Sequence, residues 1–196
     1  MMPSVSLNTR VSSRRCAEAG FTLTELVIVA GIMATVLATT VMVMPGALRS
    51  ARADSGASQL VAVLRLAREQ AIAQRRNVQV VFTAPNRVSV WRVEVPGPGT
   101  TLLSDTRLEG GGAYQKINGL PDTPDAFGGA AAVSFSGAAT VSFASDGEFV
   151  NQVGDPVNGT VFLSTQNEPI SARAVTVFGP TALIREWHWN GARWSN

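Results

Sequence analysis

The stretch Gly20-Phe21-Thr22-Leu23-Thr24-Glu25-Leu26, continued by VIVAGIMATVLATTVMVMPGAL to Leu48, decides how this chain is read. From Leu26 to Leu48 there are 23 residues without a charge. At about 1.5 Å of rise per residue, a helix of that length crosses the roughly 30 Å hydrocarbon core of a bilayer. Residues 1–20 ahead of it are polar and carry Arg10, Arg14 and Arg15 against Glu18, while Arg49 and Arg52 follow it. The excess of Arg before the span predicts a cytoplasmic N-terminus and an exported remainder, a bias that Arg49 and Arg52 reduce. The run is too long for the 7–15-residue apolar core of a secretory signal, and no convincing small-residue cleavage site follows it. A plain transmembrane anchor explains the length but not Glu25, placed five residues into the apolar stretch that begins at Phe21. A carboxylate inside a membrane costs about 2.5–3.5 kcal/mol, less near the interface, and calls for a cationic partner. No cation lies nearby in the apolar direction; an amino terminus created at Phe21 by cleavage after Gly20 supplies one from a neighbouring copy.

Composition narrows the function classes. The chain has 196 residues, 45% hydrophobic and 15% charged, which suits one folded domain with an appendage. Its 16 Lys+Arg against 14 Asp+Glu exclude a strongly basic nucleic-acid binder. The lone Cys16 excludes an internal disulfide scaffold or a thiolate metal cluster, and the lone His188 makes a His-rich metal site impossible. No nucleophile–base or paired-carboxylate constellation can be placed, so the expectation is a protein that is not an enzyme and uses no cofactor and no metal.

Gly20-Phe21-Thr22-Leu23-Thr24-Glu25 resembles the prepilin signature of type IV pilins and type II secretion pseudopilins. The resemblance implies that a prepilin peptidase cuts after Gly20 and methylates Phe21, and that Glu25 is the family's acidic residue, pairing with an N-terminal amine during assembly. Removal of the leader takes three Arg, one Glu and Cys16, leaving 13 basic against 13 acidic side chains and no thiol.

Pro45-Gly46 is expected to weaken or kink the helix near the outer edge of the span. Past it, Ala47 to Arg76 reads as an amphipathic helix, with Leu60, Val63, Leu64, Ala67 and Ala71 on its buried stripe. Arg65, Arg68, Glu69, Arg75 and Arg76 lie off it, with Arg65 and Glu69 spaced for an i, i+4 pair. The segment LRLAREQAI (64–72), running into Val78-Gln79-Val80-Val81-Phe82, resembles the GspH/FimT branch of minor pilins and pseudopilins.

From Asn77 the period becomes strand-like. Val78–Phe82 and Val88–Val95 read as a hairpin around Pro85-Asn86, ended by Pro96-Gly97-Pro98-Gly99. Residues 104–130 read as a long variable loop, with at most one short strand near Ala113–Ile117, where partner specificity could reside. Further strands are expected at Ala131–Phe135, Thr140–Phe143, Thr160–Ser164 and Ala174–Phe178. Asp146-Gly147 reads as a turn, and Asp146, Glu148 and Asp155 as solvated turn carboxylates rather than a calcium loop. At the C-terminus Leu183, Arg185, Trp187 and Trp189 share one strand face, and Ile184, Glu186 and His188 the other. Asn190-Gly191 as a two-residue hairpin turn would set Trp187 opposite Trp194. His188 reads as a strand side chain, because no second His completes a metal site.

The same residues carry an alternative. Arg173, Arg185 and Arg193 interleaved with Trp187, Trp189 and Trp194 have the chemistry of a DNA-binding face. Some FimT-like minor pilins are DNA receptors through a Gly-Arg-x-Arg motif; in the corresponding stretch Gly179–Arg185 only Arg185 matches. Glu186 and the neutral mature chain weigh against this reading.

The expected fold is α+β and type IV pilin-like: a leader (1–20), a transmembrane half-helix (21–48), an amphipathic half-helix (49–76) and an antiparallel β-rich domain (77–196). The resemblance implies an assembly subunit of a type IV pilus or a type II secretion pseudopilus, placed at the filament tip. Its expected partners are other pilin subunits, the prepilin peptidase and the inner membrane, with nucleic acid the alternative. Expected localisation is single-pass in the bacterial inner membrane, N-terminus cytoplasmic and globular domain periplasmic, and later the pilus or pseudopilus.

Overall fold

The computed structural model describes residues 21–138 and 140–196, without the side chains of Met42 and Val43. The leader 1–20 lies outside the described residues. Among the described residues, one α-helix, α1 (Leu23–Gln74), is followed by eleven strands and two short 3-10 turns. The chain divides into two compact units at Met42/Val43.

In the first unit, Leu23–Val41 is a 19-residue apolar helical segment of mean hydropathy 1.9, none of it buried by the protein. Pro45, in the second unit, sits inside the helix, which runs on through Pro45-Gly46 although the proline has no N–H to donate to the preceding turn. In the second unit, Ala53, Ala57, Leu60, Leu64, Ala67 and Ala71 recur at alternating spacings of four and three and are buried. Val63 is only partly buried beside them. The helix stops at Gln74, two residues short of expectation, where Arg75 takes a positive φ of 50°. Arg65 and Glu69 do not pair; Arg68 donates instead to the Gly147 carbonyl at 3.1 Å.

Two antiparallel sheets complete this unit. The first has the order β3 (Thr100–Arg107), β2 (Arg87–Val93), β1 (Val78–Thr83), β6 (Val141–Phe143), β7 (Phe149–Val150). The second runs β11 (Trp194–Ser195), β10 (Leu183–Trp189), β9 (Arg173–Phe178), β8 (Gly159–Ser164), β4 (Ala113–Tyr114), with β5 (Val133–Ser134) also on β8. Strand alternation points Val78, Val80, Val88 and Val90 from the first sheet, and Val161, Leu163, Val175, Val177 and Ile184 from the second, into one core with the helix stripe. A smaller cluster of Ile117, Phe162, Ala172, Ala174, Trp189 and Trp194 covers the opposite face of the second sheet. Gly110, at φ +81°, lies so close to the Arg52 carbonyl of α1 that a Cβ would collide with it.

Three expectations are corrected. Residues 104–107 belong to β3, paired with β2, and not to a loop. This strand was hidden because TTLLSDTR lacks alternation; it is an edge strand, mostly exposed, with a register shift at Val90/Trp91. The terminal hairpin also shifts: Trp189, not Trp187, stands opposite Trp194 across a four-residue connection. Asn190 causes this, since its side-chain oxygen accepts from the backbone N–H of Ala192 at 3.0 Å and of Arg193 at 2.9 Å. Lastly, Arg173 is buried and not part of an exposed basic face.

Candidate functional site

At the N-terminal end, Thr22 caps α1. Its hydroxyl accepts from the Glu25 backbone N–H at 3.2 Å, and its carbonyl accepts from Leu26 N–H at 3.1 Å. Thr22-Leu23-Thr24-Glu25 thus has the spacing of a capping box, a signal the sequence reading passed over. Glu25 falls in the first helical turn, where the helix dipole favours a carboxylate. Phe21 is exposed, as is Glu25, at the head of an apolar helix surface that none of the described residues covers. Gly20 lies outside the described residues.

At the C-terminal end the Trp side chains pack into the fold, and Arg185, still exposed, is paired. Asp125, with 10% of its side chain exposed, accepts from Arg185 Nη1 at 2.6 Å, Thr176 Oγ1 at 2.6 Å and Trp187 Nε1 at 3.2 Å. Trp194 Nε1 donates to the Pro121 carbonyl at 2.9 Å, and Trp189 packs edge-on against Trp194 with centroids 5.4 Å apart. Lys116 donates to the Gly129 carbonyl at 2.7 Å and lies over the Phe162 ring. The segment between β4 and β5 is therefore pinned across the aromatic face of the second sheet. Arg193 stays exposed at the turn.

A third cluster spans α1 and the second sheet. Arg173, only 3% exposed, donates Nε to Asp54 Oδ1 at 2.5 Å and Nη2 to Ser50 Oγ at 2.8 Å. His188 Nδ1 lies 3.1 Å from the same Asp54 oxygen, and Ser58 Oγ donates to Glu186 at 3.2 Å. Burial pushes the Asp54 carboxyl up, but the hydrogen bond and charge of Arg173, with His188, outweigh it and hold it below the usual carboxylate range. Asp146 only closes its turn, accepting from Glu148 N–H at 3.1 Å.

A family model, Type II transport protein GspH, matches residues 56–181. Among solved structures, the type IV minor pilin FimU of Pseudomonas aeruginosa (strain PAO1) is similar in two crystal forms. One is 16% identical over 68% of this chain and 90% of FimU, with a TM-score of 0.46. The other is 15% identical over 73% and 92%, with a TM-score of 0.45. No curated protein matches the sequence. The family match runs from the buried stripe of α1 through β9, and the chain belongs to the GspH family of minor pilins and pseudopilins.

Proposed function

We propose that the protein is a non-enzymatic assembly subunit of a type IV pilus or a type II secretion pseudopilus, matured by a prepilin peptidase that cuts after Gly20 and methylates Phe21. The observation that carries this reading is Glu25 in the first turn of a helix whose apolar segment Leu23–Val41 is buried by none of the described residues, in a GspH-family chain. Such a surface needs a covering. The bilayer supplies it before assembly, with the N-terminus cytoplasmic and the β domain periplasmic, and neighbouring pilin helices supply it in the filament. In either low-dielectric setting the Glu25 carboxylate needs a cation, and the Phe21 amine of a neighbouring subunit provides one. An ion pair that is strong only in good geometry sets the register between subunits.

The test is intact mass and N-terminal sequencing of protein from native membranes, together with filament incorporation of Glu25→Ala. The expected results are a chain starting at N-methylated Phe21 and loss of incorporation with the β domain still folded. A chain retaining residues 1–20 in cells with active peptidase would sink the proposal. DNA uptake is not carried as a second reading, because Arg173 and Arg185 are engaged by Asp54 and Asp125.

A further inference from the structure

We infer that Asp54, Glu186 and His188 form a site for a divalent transition-metal ion of the zinc class, on the seam between α1 and β10. Glu186 and His188 are two apart on a strand and leave it on one face, the face that also sends Ile184 into the core. Asp54 meets them from the helix. One donor atom from each residue lies within 4.8 Å of the other two. His188 Nδ1 is 3.1 Å from Asp54 Oδ1, and Nε2 is 3.8 Å from Glu186 Oε1. These are the two different ring nitrogens, and an ion takes only one of them. Ligands bound tetrahedrally at about 2.0–2.2 Å stand roughly 3.4 Å apart, so the three donors, up to 4.8 Å apart, must draw together by up to about 1.4 Å around an ion.

The surroundings are those of a held ligand set. Arg173 and His188 both engage Asp54 through Oδ1, so neither bond occupies Oδ2. Ser58 steadies Glu186 from the helix. Protein metal ligands are oriented in this way by outer hydrogen bonds. Arg173 offsets one of the two carboxylate charges, leaving net attraction for a divalent ion. All three ligands are half-buried, which admits an ion and leaves room for water as a further ligand. One imidazole with two carboxylates suits zinc better than calcium or magnesium, which take oxygen alone. The sequence-based expectation of no metal rested on the missing second His; here carboxylates from two elements take its place.

The untagged full chain in detergent micelles is titrated with zinc chloride near neutral pH, following the ring resonances of its single histidine. The expected result is a saturable shift of those resonances, reversed by EDTA, with a rise in Tm. Glu186→Gln and His188→Gln should each weaken zinc at least about tenfold, read for the latter by Tm and calorimetry. Both keep the Asp54–Arg173 pair and so leave the fold intact, while Asp155→Asn, at a distant exposed turn, should bind as wild type does. Histidine resonances unmoved at about 1 mM zinc would overturn the inference. So would equal zinc affinity in wild type and both site variants, which would assign the ion to scattered surface carboxylates.

Discussion

Arg173 shows how much a single buried cation does in this domain. Besides Asp54 and Ser50 on the helix, its Nη1 donates to the carbonyls of Ile170 at 3.0 Å and Ala172 at 2.9 Å. It thereby ties α1 to the start of β9, adding a donor to an Ala172 carbonyl that also accepts from the Trp189 N–H at 3.2 Å. Arg173→Met keeps much of the stem volume but removes every one of these donors. The expected cost is about 2 kcal/mol, below the 3–5 kcal/mol of a fully buried pair, because 41% of the Asp54 side chain faces solvent. Urea unfolding of the variant beside wild type measures it; an unchanged midpoint would show that the pair is not a fastening. Nothing in the sequence marks Arg173 for this role. It lies 119 residues from Asp54, and only the pairing of β9 with β10 brings the helix, Arg173 and His188 together.

Among the elements, the second half of α1 is the most legible and also the most sensitive. Its four-and-three spacing is visible in the sequence because helix period alone decides which side chains are buried, and Leu64 is fully enclosed. Leu64→Ala should cost about 2–5 kcal/mol, depending on how far the site collapses, and thermal unfolding reads it. Strands β1 and β2 were legible from their alternation, and β8 and β9 as short apolar runs buried on both faces. By contrast, β3 has little alternation to read, since an edge strand with one paired side buries little. The segment after β4 was legible only as a loop: its anchors, Asp125 with Arg185 and Lys116 with Gly129, are not periodic, and Asp125 lies 60 residues from Arg185. That anchoring makes a sharp prediction, because Lys116 is the chain's only lysine. A Lys-specific protease should leave the native protein nearly intact. In Asp125→Ala, where Arg185, Thr176 and Trp187 lose their common acceptor, it should cut once, at least about tenfold faster. Equal cleavage rates would mean that the segment is held without Asp125.

At the scale of the whole molecule, the division at Met42/Val43 separates a segment with no core of its own from a unit that contains both hydrophobic clusters. Every buried residue of those clusters lies between Ala57 and Trp194, and the fastening of α1 by Arg173 begins only at Ser50. The apolar surface from Leu23 to Val41 adds nothing to that core and, in water, drives association instead. A fragment of residues 43–196 is therefore expected to be soluble and to unfold cooperatively. Its four tryptophans lie at 91, 187, 189 and 194, one on the first sheet and three on or beside the terminal strands of the second. Their fluorescence reports both sheets, and far-ultraviolet circular dichroism adds the helix. Coincident urea transitions by the two probes would establish that this unit folds as one. An early loss of helix signal would show that the half-helix from Val43 needs the preceding turns. The outcome bears directly on assembly: if the fragment folds alone, a filament defect in Glu25→Ala reports the loss of a carboxylate at the helix head and not a failure of the β domain.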